Sequence, residues 1–248
     1  MMSSYNAFAQ FYDTLTDNVD YKVRSEYISG FFSRFGKCGG DVLDLACGTG
    51  SVSAYLAKQG YCVTGLDLSD EMLTVAASKN IENATFIKGD MTKFKLPYSV
   101  DCCVCSLDAI NHLIDFEDVI RCFKCVNDCM KDGGVFVFDV NTQYKHREVL
   151  NDNAFVYDED DFFLAWDNEY EEDDIVKIYL DFFVFNGRNY DRFSEVVTER
   201  AYSIESIKEA LINTGFEFIG VYDELTDNPP CEDSERIYFV CKKGTDNG

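Results

Sequence analysis

The sequence lacks the long apolar run that a membrane-spanning helix needs. No stretch reaches ~18 consecutive apolar residues, although 46% of the chain is hydrophobic. The first residues, Met1 to Ser4, also lack the basic and then apolar pattern of a secretory signal peptide. We therefore expect a cytoplasmic protein that does not bind a membrane and that has enough apolar residues for a sizeable core.

Basic residues are also scarce. The chain has 22 Lys and Arg against 45 Asp and Glu, which gives a formal net charge of −23 at pH 7. A protein that binds a phosphate backbone needs a basic surface, so this balance disfavours nucleic acid as substrate or partner. Anionic membrane surfaces are disfavoured for the same reason. Neutral or cationic small molecules fit the charge better.

Histidine is scarcer still, with two residues, and neither stands at metal-ligand spacing. The eleven cysteines are scattered along the chain and are not grouped as a small disulfide framework, which indicates a reducing compartment. Several of them fall in apolar strands or on one face of a helix, namely Cys102, Cys103, Cys105, Cys122, Cys125 and Cys129. We interpret these as small buried hydrophobic residues and predict no metal site.

The most informative stretch that is present runs from Asp41 to Gly50. Its first half is a short apolar strand, and its second half is a turn of small residues that leads into a helix at Ser51. Such a turn brings backbone amides close to a bound ligand, because Gly48 and Gly50 carry no Cβ. Asp44, near the end of the strand, is placed to hydrogen-bond a cationic or hydroxyl-bearing group.

Two further strands each end in an acidic residue. The strand at 61–66 ends at Asp67, a position suited to the two hydroxyls of a ribose. The strand at 84–88 is followed by Asp90 and Met91, which can hydrogen-bond an exocyclic amine and pack on an adenine face. The glycine turn and the two acidic residues therefore follow three successive strands, as an adenosine ligand requires.

With these segments, Asp44-Leu-Ala-Cys-Gly-Thr-Gly50, Gly65-Leu-Asp-Leu-Ser69 and Gly89-Asp-Met91, the chain resembles the class I S-adenosylmethionine-dependent methyltransferases over residues 5–141. The resemblance implies S-adenosylmethionine as cofactor and a small-molecule enzyme of the glycine or amino-sugar N-methyltransferase type. The cofactor-binding residues that it implies are Tyr12, Tyr21, Asp44, Ala46, Gly48, Gly50, Asp67, Leu68, Met72, Asp90, Met91 and Leu107.

Three rival interpretations of the glycine turn fit less well. A dinucleotide-binding turn prefers a third glycine where this chain has Ser53, and a phosphate-binding P-loop needs a Lys-Ser/Thr pair that is missing here. A turn without any ligand explains one motif but not three that follow one another in the expected order.

Strands and helices alternate from Asp41 to Asn141, which predicts an α/β fold with a parallel sheet covered on both faces. We expect strands near 41–45, 61–66, 84–88, 100–106 and 134–140, and helices near 51–59, 70–80 and 115–131. They are followed by a helix at 203–214 and by two last strands, 216–222 and 235–241. With these elements, the resemblance implies a Rossmann-like sheet of seven strands whose last strand is antiparallel.

The loop after the fourth strand contains Asp108, Asn111 and His112. In an open parallel sheet the ligand lies beyond the carboxyl ends of the strands, so this loop is expected to face the transferred group. His112 is a candidate base near neutral pH, or alternatively a capping or packing residue. Asp139 and Asn141, at the end of the fifth strand, could line the same crevice, but their spacing does not match a magnesium site.

The N-terminal segment predicts a helix over residues 5–15 and a second helix over 22–35. In the families that the chain resembles, such a segment folds over the cofactor. Tyr12 and Tyr21 are therefore candidates for contact with the methionine end of the cofactor or with the substrate. The alternative is that both are core aromatics.

Residues 142–202 break the alternation and contain three strand-like runs, 161–170, 175–185 and 191–202. We interpret them as a three-stranded antiparallel insertion that forms either a substrate lid or a dimer interface. The domain division is then 1–141 with 203–248 as the cofactor-binding domain and 142–202 as the insertion. Candidates for a pocket wall are Phe163, Trp166, Tyr170, Tyr179, Phe183 and Phe185.

The function expected from the resemblance is transfer of a methyl group to N or O of a small acceptor, by a monomer or a homodimer. His112, Tyr12 and Asp108 are the catalytic candidates, as groups that could remove a proton from the acceptor. One alternative is a non-catalytic regulatory protein that binds the cofactor and uses the aromatic insertion as an interface. Another is an aminopropyltransferase, although the acidic residues of that family after the fourth strand are not evident here.

Overall fold

The computed structural model describes residues 4–160 and 162–244, so the segment Met1–Ser4 discussed above lies largely outside the described residues. The strands are β1 Gly40–Leu45, β2 Tyr61–Asp67, β3 Ala84–Lys88, β4 Val100–Cys105, β5 Met130–Asn141, β6 Ala154–Asp158, β7 Phe162–Glu171, β8 Ile175–Phe185, β9 Tyr190–Arg200, β10 Phe216–Asp223 and β11 Arg236–Lys243. The helices are α1 Ser4–Leu15, α2 Tyr21–Arg34, α3 Ser51–Lys58, α4 Asp70–Ser78, α5 Phe116–Cys129 and α6 Ile204–Asn213.

Seven strands form the main sheet in the order β10-β11-β5-β4-β1-β2-β3. Strands β1 to β5 pair in parallel, whereas the last strand, β11, runs antiparallel to both of its neighbours. The predicted α/β fold with an antiparallel last strand is therefore confirmed. Because β1, β2, β4 and β5 are parallel, their carboxyl ends meet at one edge of the sheet.

The central strands are buried on both faces, as a parallel sheet between helices requires. Along β1, Leu43 and Leu45 face a core that includes residues of α5 and α6. Val42 faces the opposite core, to which α2 and α3 contribute. The alternation of one strand between two cores makes this part of the molecule a three-layer sandwich.

A second, smaller sheet has the order β6-β7-β8-β9 and is antiparallel throughout. The insertion thus has four strands, and the expectation of three was wrong. The missed strand β6 is a short edge strand of five residues, and Val156 at its centre is 63% exposed. Its local pattern therefore gives little sign of burial.

The second sheet and helix α1 share a third core. Phe162 and Phe182 of the sheet lie against Phe11 and Phe8 of α1, with ring centroids 4.8 Å apart for Phe11–Phe162 and 6.2 Å apart for Phe8–Phe182. Helix α1 is thereby held against the second sheet. None of the helices in the described ranges is both long and apolar enough to cross a bilayer.

Candidate functional site

The glycine turn after β1 needs its two glycines for different reasons. Gly50 has a φ of +75°, and a Cβ there would lie 2.8 Å from the Phe86 ring, so only glycine fits the packing. Gly48 has a φ of +54°, but a Cβ there would meet no atom within 4 Å. Ala46, at a φ of 56°, adopts the same left-handed conformation. The turn is thus packed tightly at Gly50 and is open at Gly48.

Asp67 ties the end of β2 to this turn. The Gly48 amide donates to its Oδ2 at 2.8 Å, and the Ser69 amide donates to its Oδ1 at 2.9 Å. Each carboxylate oxygen keeps further acceptor capacity, which two adjacent hydroxyls could use. Leu68, the next residue, is 65% exposed and presents an apolar surface beside the carboxylate.

An open pocket of ≈ 480 Å³ lies beyond the ends of β2, β3 and β4. Its lining residues are Leu68, Asp90, Thr92, Lys93, Leu113, Asp118 and Arg121. Hydrogen bonds from the amide and the hydroxyl of Thr92 lower the pKa of Asp90, so its carboxylate is an acceptor. Leu68 and Asp90 were predicted for this place, whereas Thr92, Asp118 and Arg121 were not.

Met72 and Met91 lie close to these groups in sequence and are half-buried. The Met72 amide receives the predicted cap of α4, since it donates to Ser69 Oγ at 3.1 Å. Met91 packs against the core beneath the pocket.

Asp44 is a buried carboxyl group, 2% exposed, beside the turn. The Ser53 hydroxyl donates to its Oδ2 at 2.5 Å. Burial raises the pKa of Asp44 to about 7, and the nearby negative charge of Asp67 acts in the same direction, while Ser53 opposes the rise. A cationic ligand group beside Asp44 would favour its ionised form.

Helix α1 is fastened to the glycine turn by Asp13, a residue that the sequence did not single out. Its Oδ1 accepts from the Thr49 hydroxyl at 2.5 Å and from the Ser51 hydroxyl at 3.2 Å. Its Oδ2 lies 2.6 Å from Nζ of Lys79, the residue that follows α4. These contacts hold α1 against the glycine turn, and the expectation that this segment covers the cofactor stays a prediction.

Tyr12 lies in α1 and Tyr21 is the first residue of α2, and both are half-buried. Burial raises the pKa of both phenols; the negative charge of Asp108 acts on Tyr12 in the same direction, and the Tyr21 hydroxyl also donates to Thr16 Oγ1 at 2.8 Å. Both phenols stay protonated near neutral pH.

The loop after β4 is held by Asp139 at the end of β5. Both Leu107 and Asp108 have left-handed backbones, with φ of 59° and 53°. Their amides donate to Asp139 Oδ1 at 2.9 Å and to Oδ2 at 3.0 Å, and Arg236 contacts the same carboxylate. Because Asp139 is fully buried, it supports the loop and does not line the crevice, contrary to the expectation from its position.

Asp108 itself is turned toward Arg236, whose Nη2 donates to its Oδ1 at 2.7 Å. His112 ends the short 3₁₀ turn Ala109–His112 and is exposed. Its exposure argues against the alternative of a packed histidine. The structure thus brings Asp108 and His112 together at the edge of the sheet, and their catalytic roles stay predictions.

A third group at this place, Glu199, comes from β9 of the second sheet. Three polar side-chain atoms, one from each of Asp108, His112 and Glu199, lie within 4.8 Å of one another. Glu199 is 4% exposed, and its Oε2 accepts from Asn141 Nδ2 at 3.0 Å. Nothing in its local pattern, an acidic residue in an alternating strand, distinguishes it from a solvent-facing one.

The six aromatic candidates of the insertion divide between its two faces. The strand pairing places Trp166 and Tyr170 on the face that packs toward α1. Phe163, Tyr179, Phe183 and Phe185 alternate onto the opposite face. These four cannot line a crevice beneath the sheet, so that expectation was wrong for them.

Comparison with known proteins gives consistent results. A family model described as a methyltransferase domain matches residues 42–134. YqeM of Bacillus subtilis, a protein named as a methyltransferase, is 35% identical over 243 residues, 96% of this chain and 97% of that protein.

Solved structures agree. A crystal structure of an S-adenosylmethionine-dependent methyltransferase from Clostridium acetobutylicum superposes with a TM-score of 0.87 at 35% identity, over 97% of this chain and 99% of that one. The sugar N-methyltransferase KedS8 from a Streptoalloteichus species shares the fold, with a TM-score of 0.79 at 20% identity over 94% of this chain and 93% of its own.

Proposed function

The chain belongs to the class I S-adenosylmethionine-dependent methyltransferases, and on that premise we propose that it methylates a nitrogen or an oxygen of a small-molecule acceptor. The acceptor binds where Asp108 and His112 meet Glu199, beside the end of β4. The observation that carries this proposal is the polar cluster at that edge, with atoms within 4.8 Å of one another. A structural neighbour that is named a sugar N-methyltransferase supports a small acceptor.

The residues at the glycine turn fit S-adenosylmethionine. The open space at Gly48 admits a ligand close to the backbone, and Asp67 has two oxygens for the ribose hydroxyls. The pocket beside Leu68 and Asp90 combines an apolar wall with an ionised acceptor, as an adenine base requires. Asp44 is the buried carboxyl group suited to a cationic part of the cofactor.

We assign the remaining predicted cofactor contacts to the same surface. They are Tyr12, Tyr21, Ala46, Gly50, Met72, Met91 and Leu107.

Bound S-adenosylmethionine supplies an activated methyl group, so the protein needs no covalent residue. Its own residues orient the acceptor and exclude water, effects that can lower a barrier by roughly 7–11 kcal/mol. We assign to His112 the removal of a proton from the acceptor, and to Asp108 a hydrogen bond that orients it. Tyr12 stays protonated, so we assign it a donated hydrogen bond instead of the role of base.

We propose that residues 142–202 cover the acceptor, while 1–141 and 203–248 bind the cofactor. The second sheet brings Glu199 to the crevice, which supports the role of a lid. Its outer face exposes Val156, Phe185, Tyr190 and Val196 by 63%, 49%, 62% and 57%. That face would suit contact with a second copy of the chain, and measuring the molecular mass in solution distinguishes a monomer from a homodimer. The net charge of −23 argues against nucleic acid as the acceptor.

The first experiment measures binding of S-adenosylhomocysteine by calorimetry. Asp67→Asn should weaken binding about 10- to 100-fold, because it removes charge-assisted hydrogen bonds. The control is Asp70→Asn. The Asp70 carboxylate is exposed and pairs with Lys88, so this substitution should leave binding unchanged.

The second experiment measures methyl transfer from labelled S-adenosylmethionine to a panel of amines and hydroxyl compounds. His112→Ala should lower kcat/KM by about 10²- to 10⁴-fold. An unchanged kcat/KM across the pH range would remove His112 from its role. If no small acceptor is methylated by protein that binds S-adenosylhomocysteine, the proposal of a small-molecule acceptor fails.

A further inference from the structure

Glu199 belongs to the second sheet and places a negative charge beside the loop after β4. It lies at the end of β9, on the face that packs toward the main domain. Asn141 Nδ2 donates to its Oε2 at 3.0 Å, and His146 Nε2 lies 3.5 Å from the same oxygen. His146 is fully buried, and its ring is fixed by a contact of 2.8 Å between Nδ1 and the Asp174 carbonyl.

This carboxylate is ionised although it is 4% exposed. Burial alone would raise its pKa, but the neighbouring imidazoles of His146 and His112 and the amide of Asn141 hold the pKa of Glu199 below its usual value. A buried carboxylate is costly unless charge and hydrogen bonds compensate it. Asn141 and His146 stabilise one side of Glu199, while its other neighbours, Asp108 and His112, belong to the acceptor crevice.

The size of the triangle formed by Asp108, His112 and Glu199 limits what can occupy it. The three ligand atoms lie within 4.8 Å of one another. An atom at the centre of a triangle whose edges do not exceed that length lies at most about 2.8 Å from each corner, which is within the length of a hydrogen bond to nitrogen. All three corners accept hydrogen bonds when His112 is neutral. Two of them are carboxyl groups, and that of Asp108 also accepts a hydrogen bond from Arg236 Nη2 at 2.7 Å.

We propose that Glu199, Asp108 and His112 together bind the amino group of the acceptor, which enters as an ammonium ion. This inference rests on the proposed function and narrows it from nitrogen or oxygen to nitrogen. A primary ammonium offers three N–H donors to the three acceptors, whereas a hydroxyl offers one and leaves two acceptors unmatched. Glu199 is thereby a further acceptor-binding residue, supplied by the second sheet.

The proton balance of this arrangement is simple. The ammonium gives one proton to His112, and its two remaining N–H groups stay on Asp108 and Glu199. The lone pair that is freed first points at His112, so the amine would turn on its two remaining hydrogen bonds to aim it at the methyl group. With S-adenosylmethionine bound, the N–CH₃ bond would form while the S–CH₃ bond breaks, and the electron pair of the broken bond would stay on sulfur. The product is a methylated ammonium and a neutral thioether.

The test compares matched ligands that differ by one group: benzylamine with benzyl alcohol, and glucosamine with glucose. Binding to the protein saturated with S-adenosylhomocysteine is measured by calorimetry at pH 7 and constant ionic strength. The wild type should bind at least one amine about 10-fold or more tightly than its alcohol partner, given the usual strength of hydrogen bonds to charged groups. Glu199→Gln, which keeps the shape and removes the charge, should abolish most of that preference.

The matched control is Glu195→Gln, the same substitution on the same strand and the same face. Glu195 lies near the negative charge of Glu71 and is not one of the three clustered residues, so its variant should keep the preference. Melting temperatures of both variants separate a loss of fold from a loss of charge. In methyl-transfer assays Glu199→Gln should raise KM for amines more than it lowers kcat.

Three outcomes would overturn the inference. They are the absence of any amine preference in the wild type, an equal loss in both variants, and a preference that disappears on adding EDTA, which would assign the triangle to a metal ion. If a hydroxyl compound is methylated without an amine preference, the proposed function stands and this inference fails. If no compound is methylated but amines still bind through Glu199, the proposed function fails instead.

Discussion

Two buried carboxyl groups, one at each end of the crevice, have opposite properties. Asp44 beside the glycine turn has its pKa raised to about 7, because burial dominates and the nearest charge is another anion, Asp67. Glu199 at the acceptor end has its pKa lowered, because histidine and amide partners outweigh burial. At the cofactor end, therefore, Asp44 has no positive partner among the described residues, and a cationic ligand could supply one. At the acceptor end, Glu199 is already ionised without a ligand.

The two ends also differ in how far apart their interacting residues lie in the chain. At the cofactor end Gly48 and Asp67 are 19 positions apart, and Asp90 and Thr92 are 2 apart. At the acceptor end the Arg236–Asp108 pair spans 128 positions. The cofactor end is thus built from neighbouring motifs, while the acceptor end depends on the whole tertiary structure.

The largest effect should come from removing Asp139, on which the acceptor end depends. Asp139→Ala leaves the Arg236 guanidinium, 11% exposed, without one of its three carboxylate partners and frees the amides of Leu107 and Asp108. We expect the free energy of unfolding to fall by about 3–5 kcal/mol. Chemical denaturation measures it, and binding of S-adenosylhomocysteine to the protein that remains folded shows whether the cofactor end is spared.

The control for this variant is Asp101→Ala, in the neighbouring strand β4. Asp101 pairs with Lys131 at 2.9 Å near the surface, so its loss should cost about 1 kcal/mol or less. Equal losses in the two variants would contradict the claim that the acceptor end depends on one buried ion pair.

A smaller effect should separate the two glycines of the turn. Gly50→Ala places a Cβ 2.8 Å from the Phe86 ring at a φ of +75°. The overpacking and the left-handed backbone should together cost about 2–4 kcal/mol of stability. Gly48→Ala meets no atom within 4 Å, so it should cost about 1 kcal/mol from its backbone alone.

The two glycine variants should rank in the opposite order for ligand affinity, with the larger loss in Gly48→Ala. If the space at Gly48 is filled by S-adenosylmethionine, Gly48→Ala should weaken binding of S-adenosylhomocysteine about 10-fold or more. Calorimetry on both folded variants measures this. Full affinity in Gly48→Ala would show that the open space is not part of the cofactor site.

Next in size is the pH dependence of the two carboxyl groups. The pKa of Asp44 rises from 3.8 to about 7 on folding, so the folded state binds more protons between these values. Stability should therefore fall as pH rises toward 7, by about 1.4 kcal/mol per unit at most. From pH 5.5 to 7.5 the wild type should lose roughly 2 kcal/mol relative to Asp44→Asn, measured by denaturation without ligand.

Glu199 should show the opposite dependence, because its pKa is lowered in the folded state. Its contribution is present above the ordinary glutamate value of ~4.3 and is lost as pH falls below it. The difference in stability between the wild type and Glu199→Gln should therefore shrink as pH is lowered from 5 toward 3. A difference that grows on acidification would contradict the ionised, compensated state of Glu199.

The same contrast explains what could be predicted from the sequence. Local patterns predict the turn at Gly48, the acidic strand ends Asp67 and Asp90, and the parallel sheet. They do so because the strand, turn and helix signals of each motif lie within a few residues of one another. Glu199 and Arg236 could not be found in this way. Each resembles an ordinary surface charge in its strand, and tertiary contacts alone place it beside Asp108.

The aromatic residues of the insertion show a second limit. An apolar run such as 182–185 has hydrophobic residues on both faces, so the sequence does not say which face is inside. Pairing with β7 decides it by placing Phe182 inside and Phe183 outside. The edge strand β6 was missed because its partner across the sheet, and not its own pattern, defines it.

The smallest effect should come from Asp13, which joins the two ends through α1. Its contacts to Thr49 and Lys79 are partly exposed, with 41% of the Asp13 side chain accessible, so Asp13→Ala should cost less than about 1 kcal/mol of stability. Tyr12 and the aromatic contacts to the second sheet remain, and only the attachment to the glycine turn is lost. We therefore expect faster hydrogen exchange in α1 and a few-fold weaker binding of S-adenosylhomocysteine, with acceptor-end stability unchanged. Unaltered exchange in α1 would show that packing on the second sheet alone holds this helix, and that the two ends of the crevice are not coupled through Asp13.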